Sequence, residues 1–331
     1  MARRAGAGSE AHVAQAARDA VARGNAVDAV VTAVLVAAAE APGVFLGPVQ
    51  LLVGGVGAGL QAFDGRVRQP GLGIPRPRGA KAGEAVPPPA RIGVPALPAT
   101  LAAVLAALGG TTLRRAAGPA IERARTISPE RAAVLEVFAR RGAAAMGDDA
   151  VASELAAVAG RAAGGTLTED DLASVRPGVV TCDERSLAPS GILRVPWREP
   201  GPGSTATQVV VAADGRGLVA IACYEVPVEG VPIASLGLVA PAFASPVMRG
   251  ETRVRPGEPC PASAPIALRA RRGVVDVAIG VAEAQGAEAT LESLLATLDD
   301  AAALLAAVGG AAGRPVAVVR TGDTAAVVAS R

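Results

Sequence analysis

The sequence predicts a layered α+β domain, and three observations carry the prediction. Helix-period segments fill most of the first half, β-branched apolar runs fill most of residues 179–279, and one more helix precedes a closing pair of short strands. The grouping of helices, then strands, then helix and strands is that of stacked layers.

Composition supports a packed core. The chain has 331 residues, of which 51% are apolar and only 2% aromatic, so Ala, Val and Leu must build the interior and close layer spacings are favoured. No internal repeat is present.

Taken in order, a first helix is expected over 9–23, with Gly24 as its stop and Asn25 as the N-cap of a second helix over 26–39. Residues 43–59 change to short apolar pieces punctuated by Gly, including 50–53, and 60–63 lead into Asp64-Gly65-Arg66, which reads as strand and turn. Residues 70–98 are rich in Pro and Gly, a surface loop carrying Arg76, Arg78 and Lys81. Helices resume over 99–108, 113–125, 128–141 and 148–163. Gly164-Gly165 then stops a helix, and Thr168 caps the next with acidic residues in its first turn. A helix over 284–308 and strands over 316–320 and 325–329 complete the chain.

Gly203-Ser204-Thr205-Ala206-Thr207-Gln208-Val209-Val210-Val211-Ala212-Ala213-Asp214-Gly215 is the stretch with chemical potential. It reads as a strand closing at an Asp-Gly turn before the run 218–224, a hairpin with a hydroxyl at its entrance. Cleavage before Thr205 would give one residue both a nucleophilic hydroxyl and an α-amino group of pKa about 8, able to act as its base. β-propensity alone also accounts for a threonine at that position.

Other chemistries are excluded by count. His12 is the single histidine, on the face of an amphipathic helix, which removes conventional triads and multi-histidine metal sites. Cys182, Cys223 and Cys260 are odd in number and far apart, which argues against a disulfide framework and a Cys-x-x-Cys metal site and fits a reducing compartment. The formal charge is +2, with arginines scattered, so nucleic acid is not an expected partner. The basic start lacks a following apolar region, and the run 29–39 is too short for a bilayer, so a cytoplasmic chain with no membrane partner is expected. No cofactor or metal is expected.

Several stretches resemble the gamma-glutamyltransferase branch of the N-terminal nucleophile hydrolases. Gly24-Asn25-Ala26-Val27-Asp28-Ala29 is similar to that family's opening helix start, Asp64-Gly65-Arg66 to its Asp-x-Arg turn, and Arg91-Ile92-Gly93-Val94-Pro95 and Gly118-Pro119-Ala120-Ile121 to its following strand and helix motifs. Gly164-Gly165-Thr166-Leu167-Thr168-Glu169-Asp170-Asp171-Leu172-Ala173 resembles its most specific hallmark.

The resemblance implies an αββα sandwich, one domain over 1–331 in which 1–204 matches the large subunit and 205–331 the small one. It implies Thr205 as autoprocessed nucleophile, Arg66 as the arginine for a substrate carboxylate, and a small-molecule amide or peptide as substrate. An arginine on an exposed turn is the plain alternative for Arg66. Ala222-Cys223-Tyr224-Glu225 stands where the family carries hydroxyls and an asparagine, and Glu225 reads as a new amine-binding group or an ordinary edge residue.

The chain also departs from the family pattern. Ala206, Thr207, Gln208 and Val209 replace residues after the nucleophile, only Ser263 remains of a serine pair, and Val281 follows Gly280 where a second oxyanion glycine is expected. The link from Trp197 to Ser204 is short, and the uncharged stretch 236–247 lacks the acids that hold a γ-glutamyl amine, which argues against glutathione. Two functions remain open: an amidohydrolase or acyltransferase using Thr205, and a catalytically silent binding or assembly protein of the same fold.

Overall fold

The computed structural model describes residues 4–75, 77–182, 191–197, 205–227, 230–283, 286–298, 301–311, 314–321 and 324–329. Arg76, Ser204 and Ala284, each part of an expectation above, lie outside the described residues.

Two sheets face each other. The first has the order β1-β6-β7-β2-β3-β4, built from β1 (Ala5–Gly8), β2 (Val49–Gly55), β3 (Gly59–Gly65), β4 (Gly178–Cys182), β6 (Thr205–Ala213) and β7 (Val219–Pro227). The second has the order β13-β12-β11-β10-β5, from β5 (Ile192–Arg194), β10 (Ile266–Arg271), β11 (Val274–Ala282), β12 (Arg314–Thr321) and β13 (Thr324–Ala329). All named pairings are antiparallel, so alternate residues of each strand face opposite layers.

That alternation builds three cores. Val209, Val211, Ile221, Leu52 and Ala62 meet Ile266, Leu268, Ala278 and Val316 between the sheets. Val210, Ala212, Ala222, Leu51 and Phe63 face the other way, against α1 (Ala11–Arg23) and α2 (Ala26–Glu40), and this core continues into α3 (Leu97–Leu108), α4 (Leu113–Ile127), α5 (Pro129–Arg141) and α6 (Asp149–Ala159). On the far side, Ile279, Val281 and Val319 pack under Leu291, Leu294, Leu304 and Val308 of α8 (Ala287–Leu295) and α9 (Ala301–Gly310). Helices therefore cover both outer faces, and each fully buried Val or Leu contributes about 1.5–3 kcal/mol. No helix among the described residues is long and apolar enough to cross a membrane.

The small-residue composition lets the layers close. A Cβ on Gly6 would lie 2.9 Å from the Ala17 carbonyl carbon, so glycine there allows α1 to sit on β1; a Cβ on Gly280 would lie 2.7 Å from Val209 Cγ1, across the gap between the sheets.

Local chemistry fixes the helix starts that the sequence predicts. Asn25 and Asp28 form a reciprocal capping box at α2, and Thr168 and Asp171 form another at α7 (Glu169–Ser174). Both carboxylates do more than cap. Asp28 Oδ1 accepts Gly110 N at 2.9 Å and Thr111 N at 3.1 Å, and Asp171 accepts Gly71 N at 2.8 Å and Leu72 N at 2.9 Å.

One strand is added that the sequence does not announce, and three expectations are corrected. Residues 5–8 form β1, paired with β6 from Ala5 opposite Ala213 to Gly8 opposite Val210. The helix expected over 148–163 ends at Ala159, because Gly160 turns to extended backbone and a short 3-10 turn follows. The single helix expected over 284–308 is two, α8 and α9, since Leu294 O accepts both Thr297 N and Thr297 Oγ1 and ends the first. Residues 242–265 carry no strand, although β8 (Gly230–Ile233) and β9 (Leu238–Pro241) form a hairpin just before them.

Candidate active site

Antiparallel pairing gathers one end of five strands. Val209, Cys223, Gln50, Asp64 and Gly178 are successive partners across β6, β7, β2, β3 and β4. Thr207 opposite Glu225 lies one row nearer the end, and Thr205 opposite Pro227 begins β6 beyond it. The side chain of Thr205 lies outside the described residues. Its hairpin closes as predicted, with Asp214 Oδ1 accepting Arg216 N at 2.7 Å and Leu218 N at 3.1 Å.

Arg66 follows β3 at that same end. The expectation of an exposed turn is overturned, for Arg66 is only 5% exposed. Asp64 takes its guanidinium as a fork, Nε to Oδ1 at 3.0 Å and Nη2 to Oδ2 at 3.1 Å, while Nη1 donates to Trp197 O at 3.2 Å. The Trp197 ring lies 5.7 Å from the guanidinium carbon, and Arg68 Nη1 adds a second cation 3.3 Å from Asp64 Oδ2. These bonds use three of the five N–H donors of Arg66.

From Trp197 a polar chain runs back toward β6. The indole Nε1 donates to Gln50 Oε1 at 2.7 Å, Gln50 Nε2 donates to Ser263 O at 2.9 Å, and Ser263 N donates to Glu225 Oε1 at 3.1 Å. Glu225 is 1% exposed, facing the layer between the sheets beside Thr207. The same end of the sandwich therefore holds both predicted residues, but β3 and β6 stand three strand steps apart, about 14 Å at the usual spacing. Arg66 and Thr205 share a sheet end but are not adjacent; the network from Arg66 ends at Glu225, opposite Thr207.

The second sheet closes over the start of β6. Thr207 N donates to Glu283 O at 3.4 Å, and Glu283 Oε2 is buried with no hydrogen-bond partner among the described residues. Gly280 lies in this segment, yet the N–H of the next residue, Val281, donates to Pro265 O at 3.0 Å. A backbone donor occupied in that way is not free to meet a developing oxyanion.

Gln50 and Trp197 are the site residues that sequence reasoning passed over. Their signals were a single amide within the apolar run 49–53 and the only tryptophan of the chain. His12 lies on the surface side of α1, its Nε2 3.3 Å from Glu10. Among the described residues no group of three or more His, Cys, Asp or Glu side chains could hold a metal ion.

All three cysteines are free. Burial, reinforced by the Glu225 charge, pushes the Cys223 thiol far up, and burial pushes Cys260 up to about 12 despite the nearby Arg68 and Arg66. Cys182, at an accessible strand end, is raised by burial alone. Since the thiolate is the nucleophile, iodoacetamide at pH 8 should label Cys182 first, with Cys223 and Cys260 reacting only after unfolding; peptide mapping reads the order.

No protein-family model matches this chain, and comparison of its sequence with curated proteins gives no match. Solved structures do share its fold. Cephalosporin acylase from Bacillus halodurans superposes with a TM-score of 0.71 at 15% identity, covering 99% of this chain and 93% of its own. The structure of LmbA2991HD gives 0.76 at 13% identity, over 99% and 96%. A gamma-glutamyltranspeptidase from Pseudomonas nitroreducens matches over 62% of this chain and 69% of its own, at 19% identity and a TM-score of 0.44. The chain is a mixed helix and sheet protein with the fold of the first two.

Proposed function

We propose that the chain is an amidohydrolase or acyltransferase that cleaves itself between Ser204 and Thr205 and uses the new N-terminal threonine as nucleophile. The observation that supports this most is the position of Thr205. It is the first residue of β6, at the sheet end where Thr207, Glu225, Gln50, Arg66 and Trp197 gather, in a fold shared with a cephalosporin acylase. In this reading the Thr205 hydroxyl attacks an amide carbonyl and its own α-amino group takes the proton. The C–N bond breaks, the protonated amine leaves, and water or an acceptor amine resolves the ester. The two N–H donors of Arg66 that have no partner among the described residues would receive a carboxylate on the substrate.

The cleaved product would be one αββα domain of two pieces, 1–204 and 205–331. β6 of the second piece lies between β1 of the first and β7, and β7 pairs with β2 of the first, so the pieces share a continuous sheet. They should stay associated after cleavage.

Intact and native mass spectrometry test the reading. Wild-type protein is expected as two fragments split at Ser204–Thr205, held in one native complex, and Thr205→Ala as one chain. A single chain in both would overturn it. A second reading, a silent member of the fold serving as a binding protein, is favoured by the occupied Val281 N–H and by the closure of Arg66 under Asp64 and Trp197; an uncut wild-type chain would support it.

A further inference from the structure

We propose that a second site on this protein binds a small doubly charged oxyanion, a phosphate ester or a dicarboxylate. The site is a cavity of about 670 Å³ between the Pro-rich loop after Arg66 and the irregular segment after β9. Its size is that of an ordinary small-molecule pocket. It shares none of its lining with Arg66, Trp197, Gln50, Glu225 or Thr207.

Charge identifies the ligand. Arg78, Lys81 and Arg249 line the cavity against one carboxylate, Glu84, and none of the three cations has an ion-pair partner among the described residues. Exposed cations commonly go unpaired. Here, however, they converge on one volume and include the only lysine of the chain, leaving an excess of two positive charges over Glu84. Glu84 is itself held by the cavity wall, its Oε2 accepting Lys81 N at 2.8 Å. Two guanidinium forks and an ammonium suit the several oxygens of a divalent oxyanion better than a single monovalent charge.

The walls are set before any ligand arrives. Ala80 N donates to Val247 O at 3.0 Å and Arg249 N to Ala80 O at 2.8 Å, which fixes the two loops side by side. On the floor, Gly165 could not carry a side chain, for its Cβ would fall 1.9 Å from Ala159 O. The Gly164-Gly165 pair of the sequence hallmark thus shapes this cavity as well as ending a helix. A preformed shape reduces the ordering cost of binding.

Isothermal titration with inorganic phosphate and with succinate, at ionic strength held constant with sodium chloride, tests the proposal. Saturable binding of at least one is expected, and which one binds separates the two ligand chemistries. The triple variant Arg78→Gln, Lys81→Gln, Arg249→Gln should weaken it by roughly tenfold or more. Glu84→Gln keeps a carbonyl oxygen for Lys81 N, removes the opposing charge and should tighten binding. Absence of saturable binding for both anions, or equal affinity in wild type and triple variant, would overturn the proposal. None of these residues belongs to the candidate active site, so self-cleavage should be the same in all variants, and its failure would bear on the enzyme reading alone.

Discussion

Asp64→Ala should cost about 3–5 kcal/mol of stability, the effect of leaving a buried guanidinium without its counter-charge. Asp64 and Arg66 are each 5% exposed, and Asp64 also accepts Arg66 N at 3.0 Å and faces Arg68 Nη1 at 3.3 Å. Removing the carboxylate strands two cations at once. The reciprocal change is expected to be milder. Arg66→Met leaves Asp64 paired with Arg68 and puts a flexible apolar side chain under Trp197, so the loss should stay below about 2 kcal/mol. Urea unfolding with an unchanged m-value measures both. The asymmetry serves the functional question too: if Arg66 receives a substrate carboxylate, Arg66→Met will raise KM for carboxylate-bearing amides in a protein that is still folded and cleaved. Equal losses of stability for the two variants would mean that Asp64 is not compensating both arginines.

What the sequence made legible was chemistry closed within a few residues. The capping boxes of Asn25 with Asp28 and Thr168 with Asp171, and the Asp214 turn, each bond residues three or four positions apart, and each is present. β1 was hidden because an Ala-Gly-Ala-Gly tract has no β-propensity of its own; its extended form comes from pairing with β6, far along the chain, and from the room Gly6 gives α1. The candidate site divides in the same way. Thr205 and Arg66 were singled out through short motifs, whereas the network between their strands depends on contacts such as Trp197 to Gln50, 147 positions apart, and Trp197 to Arg66, 131 positions apart. No local pattern encodes those distances.

The acidic run 169–171 separates a structural carboxylate from its solvated neighbours, and Asp171→Ala is the second change expected to have a large effect. Asp171 is 1% exposed and accepts from Thr168 N, Thr168 Oγ1, Gly71 N and Leu72 N, all within 2.8–2.9 Å. Its loss removes the carboxylate half of the α7 capping box, worth up to about 1 kcal/mol, and strands the N–H groups of Gly71 and Leu72, at about 1–3 kcal/mol each. A total of about 3–7 kcal/mol is expected. Asp170→Ala, one residue away and exposed, should change stability by no more than about 0.5 kcal/mol, and Asp171→Asn, which keeps one acceptor oxygen, should fall between them. Denaturant midpoints of the three variants make the comparison. The functional consequence follows from where the clamped backbone lies. Gly71 and Leu72 come directly after the segment that carries Arg66 and Arg68, so a released loop would loosen the Asp64–Arg66 fork without touching it. If Asp171→Ala were as mild as Asp170→Ala, the hallmark motif would not be holding this loop, and its role would have to be sought in the Gly164-Gly165 floor of the anion cavity instead.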